Sequence, residues 1–275
     1  MNGLESTIDF TRSVLVVAHP DDEALWFTSI LAHVPETISC YRDVLSRPVC
    51  SAGRNAALSS GLLGRQTSLG LVEAEVSNTA GWPHPIVTEY GFHLRSYPDT
   101  MAGFSPSRYR KNYFEIVRTL RPRLLGVGTV FTHNPWGEYG HEEHAQVFRA
   151  VDMLRKELGF KLYVTNYVSN KSLALFHHYV EYVRGERLDL ITQPSLGVNL
   201  RCVYENNACW TWFDGYVWPE RESFFCWTGL PLRSHNGWFL PLNFIDIHFG
   251  RRAETLMPRW LIKIQEAIRR RFAWA

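Results

Sequence analysis

Apolar positions along the chain alternate between two spacings. Residues 13–18, Ser-Val-Leu-Val-Val-Ala, form a short β-branched run that reads as a buried parallel strand, and residues 124–132 and 161–166 read as further strands. Between them apolar residues recur at helical intervals. Leu25, Trp26, Ile30 and Leu31 do so within 20–33, where Pro20 stands at the first helical position and acids fill the first turn. Helices are likewise predicted over 54–63, closed by Gly64, over 108–120, ended by Arg121-Pro122-Arg123, and over 141–158. Short strands are expected at 47–51 and 71–76.

This alternation predicts an α/β fold, a mostly parallel, doubly wound sheet with helices on both faces, extending to about residue 170. From 171 the pattern becomes aromatic-rich with scattered Gly and Pro, and no repeat or linker sets it apart. The expectation is one domain over 1–275: a catalytic core at 1–170 and a C-terminal cap, 171–275, packed on it.

Composition narrows the function classes. A formal net charge of +2 argues against a nucleic-acid partner held by phosphate neutralisation. Five cysteines with no Cys-x-x-Cys pair suggest neither a disulfide framework nor a thiolate metal site, which fits the reducing cytoplasm. The first residues lack a basic stretch followed by an apolar one, and no apolar run approaches the roughly 20 residues of a membrane span, so a signal peptide and a transmembrane segment are not expected. The 14% aromatic content, with 10 Trp, is high, and much of it lies in the last third of the chain.

Two motifs carry chemistry: Ala18-His19-Pro20-Asp21-Asp22-Glu23 after the first strand, and Tyr139-Gly140-His141-Glu142-Glu143-His144 after the strand at 124–132. In an open parallel sheet, ligands bind at the carboxyl ends of strands, where these motifs would meet. A catalytic zinc commonly takes three N or O ligands and acidifies a bound water. His19, Asp22 and His144 would supply that set. Asp21, beside Asp22, must point elsewhere and is the candidate general base and then general acid. His141, three residues from His144, is assigned to the substrate, as a protonated donor to the oxyanion, with the Tyr139 hydroxyl as a second donor. Taken singly, the acids also suit any helix N-terminus and a His-x-x-His pair also suits a solvated helix face; together the motifs favour a metal site.

These residues resemble the LmbE-like, or PIG-L, zinc-dependent N-deacetylases over roughly residues 13–170. The resemblance implies a Rossmann-like fold and removal of the acetyl group from N-acetylglucosamine units of glycolipids, thiol-sugar conjugates or glycosylated natural products. It implies zinc on His19, Asp22 and His144, Asp21 as base, and catalytic roles for His141 and Tyr139. It also implies an Arg opening a helix with a Glu one turn later; Arg54 matches as a substrate contact or is a surface arginine, and the Glu is missing. The Pro98-Asp99 pair resembles a family turn whose Asp orients the catalytic His, or is a simple turn.

The loop Thr132-His133-Asn134-Pro135-Trp136-Gly137-Glu138 is dense in sugar-binding side chains. Trp136, stacking on a pyranose or closing the core, and Glu138 are the candidate substrate contacts. His133 is kept outside the metal shell, as a strand-end His that satisfies backbone groups. The expected activity is metal-dependent deacetylation of a small-molecule or lipid-linked amino sugar, with Zn2+ or another divalent ion such as Fe2+. A longer-chain or aromatic glycoside is the alternative substrate. A non-catalytic sugar or nucleotide module is the alternative class, although no Gly-x-Gly-x-x-Gly turn follows the first strand. Residues 259–272, apolar at helical spacing with basic residues between, are a candidate for peripheral membrane contact or for docking on the domain itself. No oligomeric state is implied.

Overall fold

A computed structural model describes residues 8–183, 185–231 and 240–247. The chain divides into two units, Met1–Ile245 and Asp246–Ala275, and every element below belongs to the first. The expected basic helix at 259–272 lies outside the described residues.

The strands are β1 (Ser13–Val17), β2 (Thr37–Asp43), β3 (Gln66–Val72), β4 (Val87–Thr88), β5 (Gly91–Phe92), β6 (Thr129–Thr132), β7 (Lys161–Thr165), β8 (Tyr167–Ser169), β9 (Arg187–Ile191), β10 (Arg221–Cys226) and β11 (Asn243–Ile245). The helices are α1 (Asp22–Trp26), α2 (Pro48–Ser59), α3 (Pro106–Arg123), α4 (Glu142–Leu158), α5 (Leu173–Tyr179) and α6 (Pro194–Asn206). Seven strands form one sheet in the order β3-β2-β1-β6-β7-β10-β9. The first five pair in parallel, and β10 runs antiparallel to both β7 and β9. The fold is thus α/β with a mostly parallel sheet, as the alternation of spacings predicts.

Every residue of β1 and β6 is buried, which is why these strands are unbroken apolar runs. Val14 and Val16 of β1 join Ile116 and Leu120 of α3 and Val147, Val151 and Leu154 of α4 in one apolar cluster. In the sheet β1 and β6 are neighbours, with Val16 opposite Thr132. The two motifs therefore emerge side by side from adjacent strand ends, although over 100 residues of chain separate them.

Several elements differ from the pattern. The helix expected over 20–33 is only Asp22–Trp26. Its continuation is captured instead by Glu222 of β10, which accepts hydrogen bonds from Thr28 Oγ1 (3.2 Å), from Ser29 N (3.0 Å) and from the Ser29 hydroxyl. The second strand is Thr37–Asp43, and 47–51 is instead the cap and first turn of α2, with Pro48 at its first position. β3 ends at Val72 rather than continuing to 76, and β6 covers only the last four residues of 124–132, because Gly126 takes a positive φ of 76° in the turn before it. Helix α3 runs on through Pro122 to Arg123. Among the described residues beyond 170, β9 and β10 extend the same sheet at its edge.

Glu222 is fully buried, and its Oε1 also accepts from the Tyr167 hydroxyl at 3.0 Å. Glu222→Ala strands three buried hydroxyl donors and an amide, so it is expected to lower stability by about 2–4 kcal/mol, read from urea unfolding midpoints at constant slope.

Candidate metal centre and active site

The turn after β1 places His19 two residues past the strand. Asp21 follows at φ 115°, and Asp22 opens α1. A non-glycine residue in the left-handed region stores of order 1–3 kcal/mol of strain, and here it separates two consecutive carboxylates. The loop after β6 turns through Gly137 at φ 67°, where a Cβ would lie 2.4 Å from the His141 carbonyl, so glycine is required. Glu138 follows, also left-handed at φ 51°, and His141 caps α4.

A single carboxylate organises the second motif. Glu138 Oε2 lies 2.7 Å from His144 Nδ1 and 3.0 Å from His133 Nδ1, while Oε1 accepts from Thr165 Oγ1 at 2.5 Å and from Asn134 N at 3.0 Å. Burial opposes its charge, but the two imidazoles outweigh that and bring its pKa down to about 2. An ionised acceptor there holds the ring hydrogen of each imidazole on Nδ1. His133 then spends its Nε2 lone pair on the Ala18 amide, which donates at 2.8 Å. Burial lowers the His133 pKa, and Glu138 and Asp22 raise it to about 9; the Ala18 hydrogen bond nonetheless requires a free lone pair and selects the neutral ring. His144 is different. Its Nε2 is buried with no hydrogen-bond partner among the described residues, 3.2 Å from Asp22 Oδ1. Two acceptors face each other with no hydrogen between them, an arrangement that a cation satisfies.

The first motif is held in the same way. His19 Nε2 lies 3.0 Å from Glu143 Oε2, whose other oxygen accepts from Ala74 N at 2.6 Å. His19 Nδ1 faces Asp22 Oδ2 at 3.4 Å, and Asp22 Oδ2 also accepts from the His19 amide at 2.7 Å. Burial opposes charging His19, but Glu73, Asp22 and Glu143 together raise its pKa well above the usual value. A proton on Nδ1 thus takes the place that a metal would, and metal binding would release it. Ligand-type atoms lie within 4.8 Å of one another in three overlapping sets: His19, His141 and His144; Asp22, His133 and His144; and His19, Glu73 and Glu143. Hydrogen-bond accounting thins these sets. His133 Nε2 is occupied, and His141 Nδ1 accepts from Glu143 N at 3.2 Å, which leaves its ring hydrogen on Nε2. Beside Asp22, His144 Nε2 offers a lone pair and His19 Nδ1 offers one once its proton leaves, so these three residues could hold a divalent ion.

His141 lies within ring contact of His19 (5.0 Å) and His144 (4.6 Å). Burial, with the neighbouring His144 and His19 rings, pushes its pKa well below the usual value. The expected protonated His141 is therefore corrected: the ring is neutral and donates through Nε2–H. Tyr139 stands at 5.4 Å from His144 and 5.7 Å from His141, ring to ring, and burial holds its hydroxyl protonated. Asp21 Oδ2 accepts from Thr211 N (3.1 Å) and Thr211 Oγ1 (2.6 Å). Burial and the Asp22 charge raise the Asp21 pKa to about 6.

Three expected substrate contacts are engaged within the protein instead. Trp136 is fully buried, donates Nε1 to the Tyr167 carbonyl at 2.7 Å and packs edge-on against Phe176, so it closes the core rather than stacking on a sugar. Glu138 is also fully buried, with both oxygens engaged as above. Arg54 is not a surface residue: it is buried and ion-paired with Glu73, the acid that the helix itself does not supply, and its charge acts on Asp21. Asp99 lies on an exposed turn in which Thr100 N donates to the Tyr97 carbonyl at 3.0 Å; two of the histidines are oriented by Glu138. Glu143, Glu73 and Thr211 were not legible as site residues. Glu143 lies within the second motif, but nothing in sequence spacing points to Glu73 or Thr211.

No family model and no curated protein sequence matches the chain. Among solved structures, a deacetylase of the teicoplanin biosynthesis pathway in complex with teicoplanin is similar at 11% identity and TM-score 0.48, covering 78% of this chain and 97% of that one. Solved deacetylases are among its structural neighbours. A zinc-inhibited form of teicoplanin deacetylase is similar at 11% identity and TM-score 0.45 (72% and 84% covered), and a conserved protein of Thermus thermophilus at 15% and 0.35 (82% and 99%). At these identities the likeness is one of chain trace.

His144→Ala and Asp22→Ala are expected to abolish binding of one equivalent of Zn2+, measured by calorimetry and elemental analysis. Glu138→Gln should keep the stoichiometry and weaken affinity by about 10–100-fold, because only the orientation and basicity of His144 change. Unaltered affinity in all three would exclude the site.

Proposed function

We propose that this chain is a metal-dependent hydrolase that removes an N-acetyl group from an amino sugar of a small glycoconjugate. The observation that carries the reading is the unpartnered His144 Nε2 facing Asp22, with the carboxylate of the adjacent Asp21 directed elsewhere. His19, Asp22 and His144 would hold the ion, and Zn2+ suits their mixed N and O donors, as Fe2+ would. Once bound, it supplies Lewis-acid polarisation of the acyl carbonyl and a water of lowered pKa.

The chain's own groups account for the proton movements. Asp21, poised near neutral pH, takes the proton of the attacking water and delivers it to the departing amine nitrogen. The neutral His141 Nε2–H and the Tyr139 hydroxyl are donors for negative charge developing on the acyl oxygen. The amino sugar and the acetyl group follow from the motif resemblance of residues 18–23 and 139–144. A longer acyl chain or aromatic aglycone is the second reading, favoured by the rings beyond Tyr139. The Trp212 ring lies 4.7 Å from that of Tyr139, and the half-exposed Phe213 ring lies 5.1 Å from that of Trp212.

Amine release from N-acetylglucosaminides, compared with their longer-chain N-acyl counterparts, tests both readings. Asp21→Asn should cost on the order of 10²–10⁴-fold in kcat with zinc content unchanged. The ionised form is the active base, so kcat/KM should fall as pH drops through about 6, or through a lower value once a cation offsets the Asp22 charge. Turnover with no acid limb and an undiminished Asp21→Asn variant would remove Asp21 from the mechanism.

A further inference from the structure

The base is tied to a segment 190 residues away in sequence. Residues 209–218 run along α1 and engage it at three places. Thr211 binds the Asp21 carboxylate, the Tyr216 hydroxyl donates to the Leu25 carbonyl at 2.9 Å, and Trp218 Nε1 donates to the Ala24 carbonyl at 2.7 Å. The last two bonds occupy carbonyls that so short a helix leaves without intrahelical partners. They fix where the segment lies relative to the turn that carries Asp21. Trp218 in turn packs against Gly197 of α6, where a Cβ would approach its ring to 2.5 Å.

Both Thr211 hydrogen bonds fall on Oδ2 of Asp21, and among the described residues none falls on Oδ1. The carboxylate is thereby fixed in rotation, with one oxygen anchored and the other left for exchange of a proton. We propose that Thr211 is the positioning residue of the general base, so that the active site is completed by the aromatic-rich segment after α6 and not by the two motifs alone. This rests on the reading of Asp21 as base. In the reaction, Oδ1 receives a proton from water as the water oxygen bonds to the acyl carbon, then returns it to the amine nitrogen as the C–N bond breaks. Oδ2 keeps the Thr211 bonds throughout. The same segment carries Trp212 beside Tyr139, with its indole N–H buried and without a partner among the described residues, so one segment holds both the base and the aromatic wall.

Thr211→Val and Thr211→Ser separate this role from a structural one, because Thr211 is exposed outside these contacts and valine keeps its shape. Loss of a hydroxyl donor to a charged acceptor predicts that Thr211→Val lowers kcat by about ten- to a hundredfold, with KM and zinc content within about twofold of wild type. Thr211→Ser should restore most of the rate. Crystal structures of the two variants give a readout independent of turnover: the Asp21 carboxylate should rotate in the valine variant and stay in place in the serine variant. An unmoved carboxylate, an undiminished kcat in the valine variant, or an equal loss in the serine variant would overturn the proposal. A wild-type protein that releases no amine would instead sink the hydrolase reading, and the carboxylate positions would still decide whether Thr211 holds Asp21.

Discussion

One buried carboxylate sets the chemistry of this site. Glu138 accepts from His144 and His133 together, and by holding the hydrogens of both rings on Nδ1 it determines what each Nε2 can do. His133 gives its lone pair to the Ala18 amide and so stitches the loop after β6 to the end of β1. His144 is left with an Nε2 lone pair that has no partner among the described residues, 3.2 Å from Asp22 Oδ1. An uncompensated acceptor pair buried in protein costs several kcal/mol, so the fold tolerates it only where a cation or proton occupies the gap.

Around that gap the protein buries the carboxylates of Asp21, Asp22, Glu73, Glu138 and Glu143, among others, with the guanidinium of Arg54 paired to Glu73. Such a concentration of negative charge destabilises a folded chain unless positive charge accompanies it. In the metal-free protein the imidazolium of His19 performs part of that compensation, which links ion binding to proton release. The separation of Asp21 from Asp22 by a left-handed backbone keeps two adjacent acids out of one role: one shares the histidine cluster, and the other is drawn towards Thr211.

The remainder of the chain holds this arrangement from outside. Glu222 on β10 ends α1 after five residues by capturing Thr28 and Ser29, and Tyr216 and Trp218 take the carbonyls so exposed. Glu142, beside the histidines, accepts from the amides of Thr79 and Ala80 and from Trp82 Nε1, fixing the loop that follows β3 against α4. The segment at 211–222 is therefore part of the frame of the site, through hydrogen bonds to the turn and short helix that bear the acids.

The sequence by itself determined the sheet type, the two motifs and the strand ends on which they lie, because burial on both faces writes continuous apolar runs and because turn residues are local. The partition of Asp21 and Asp22 was readable for the same reason: neighbouring residues on a turn diverge. Only the tertiary structure decided that Trp136 and Glu138 face inward, that Arg54 meets Glu73, that α1 stops at Trp26 and that Thr211 reaches Asp21. Each of those depends on contacts between residues from 5 to 194 positions apart or on ring tautomers set by such contacts, and neither leaves a period or a spacing along the chain.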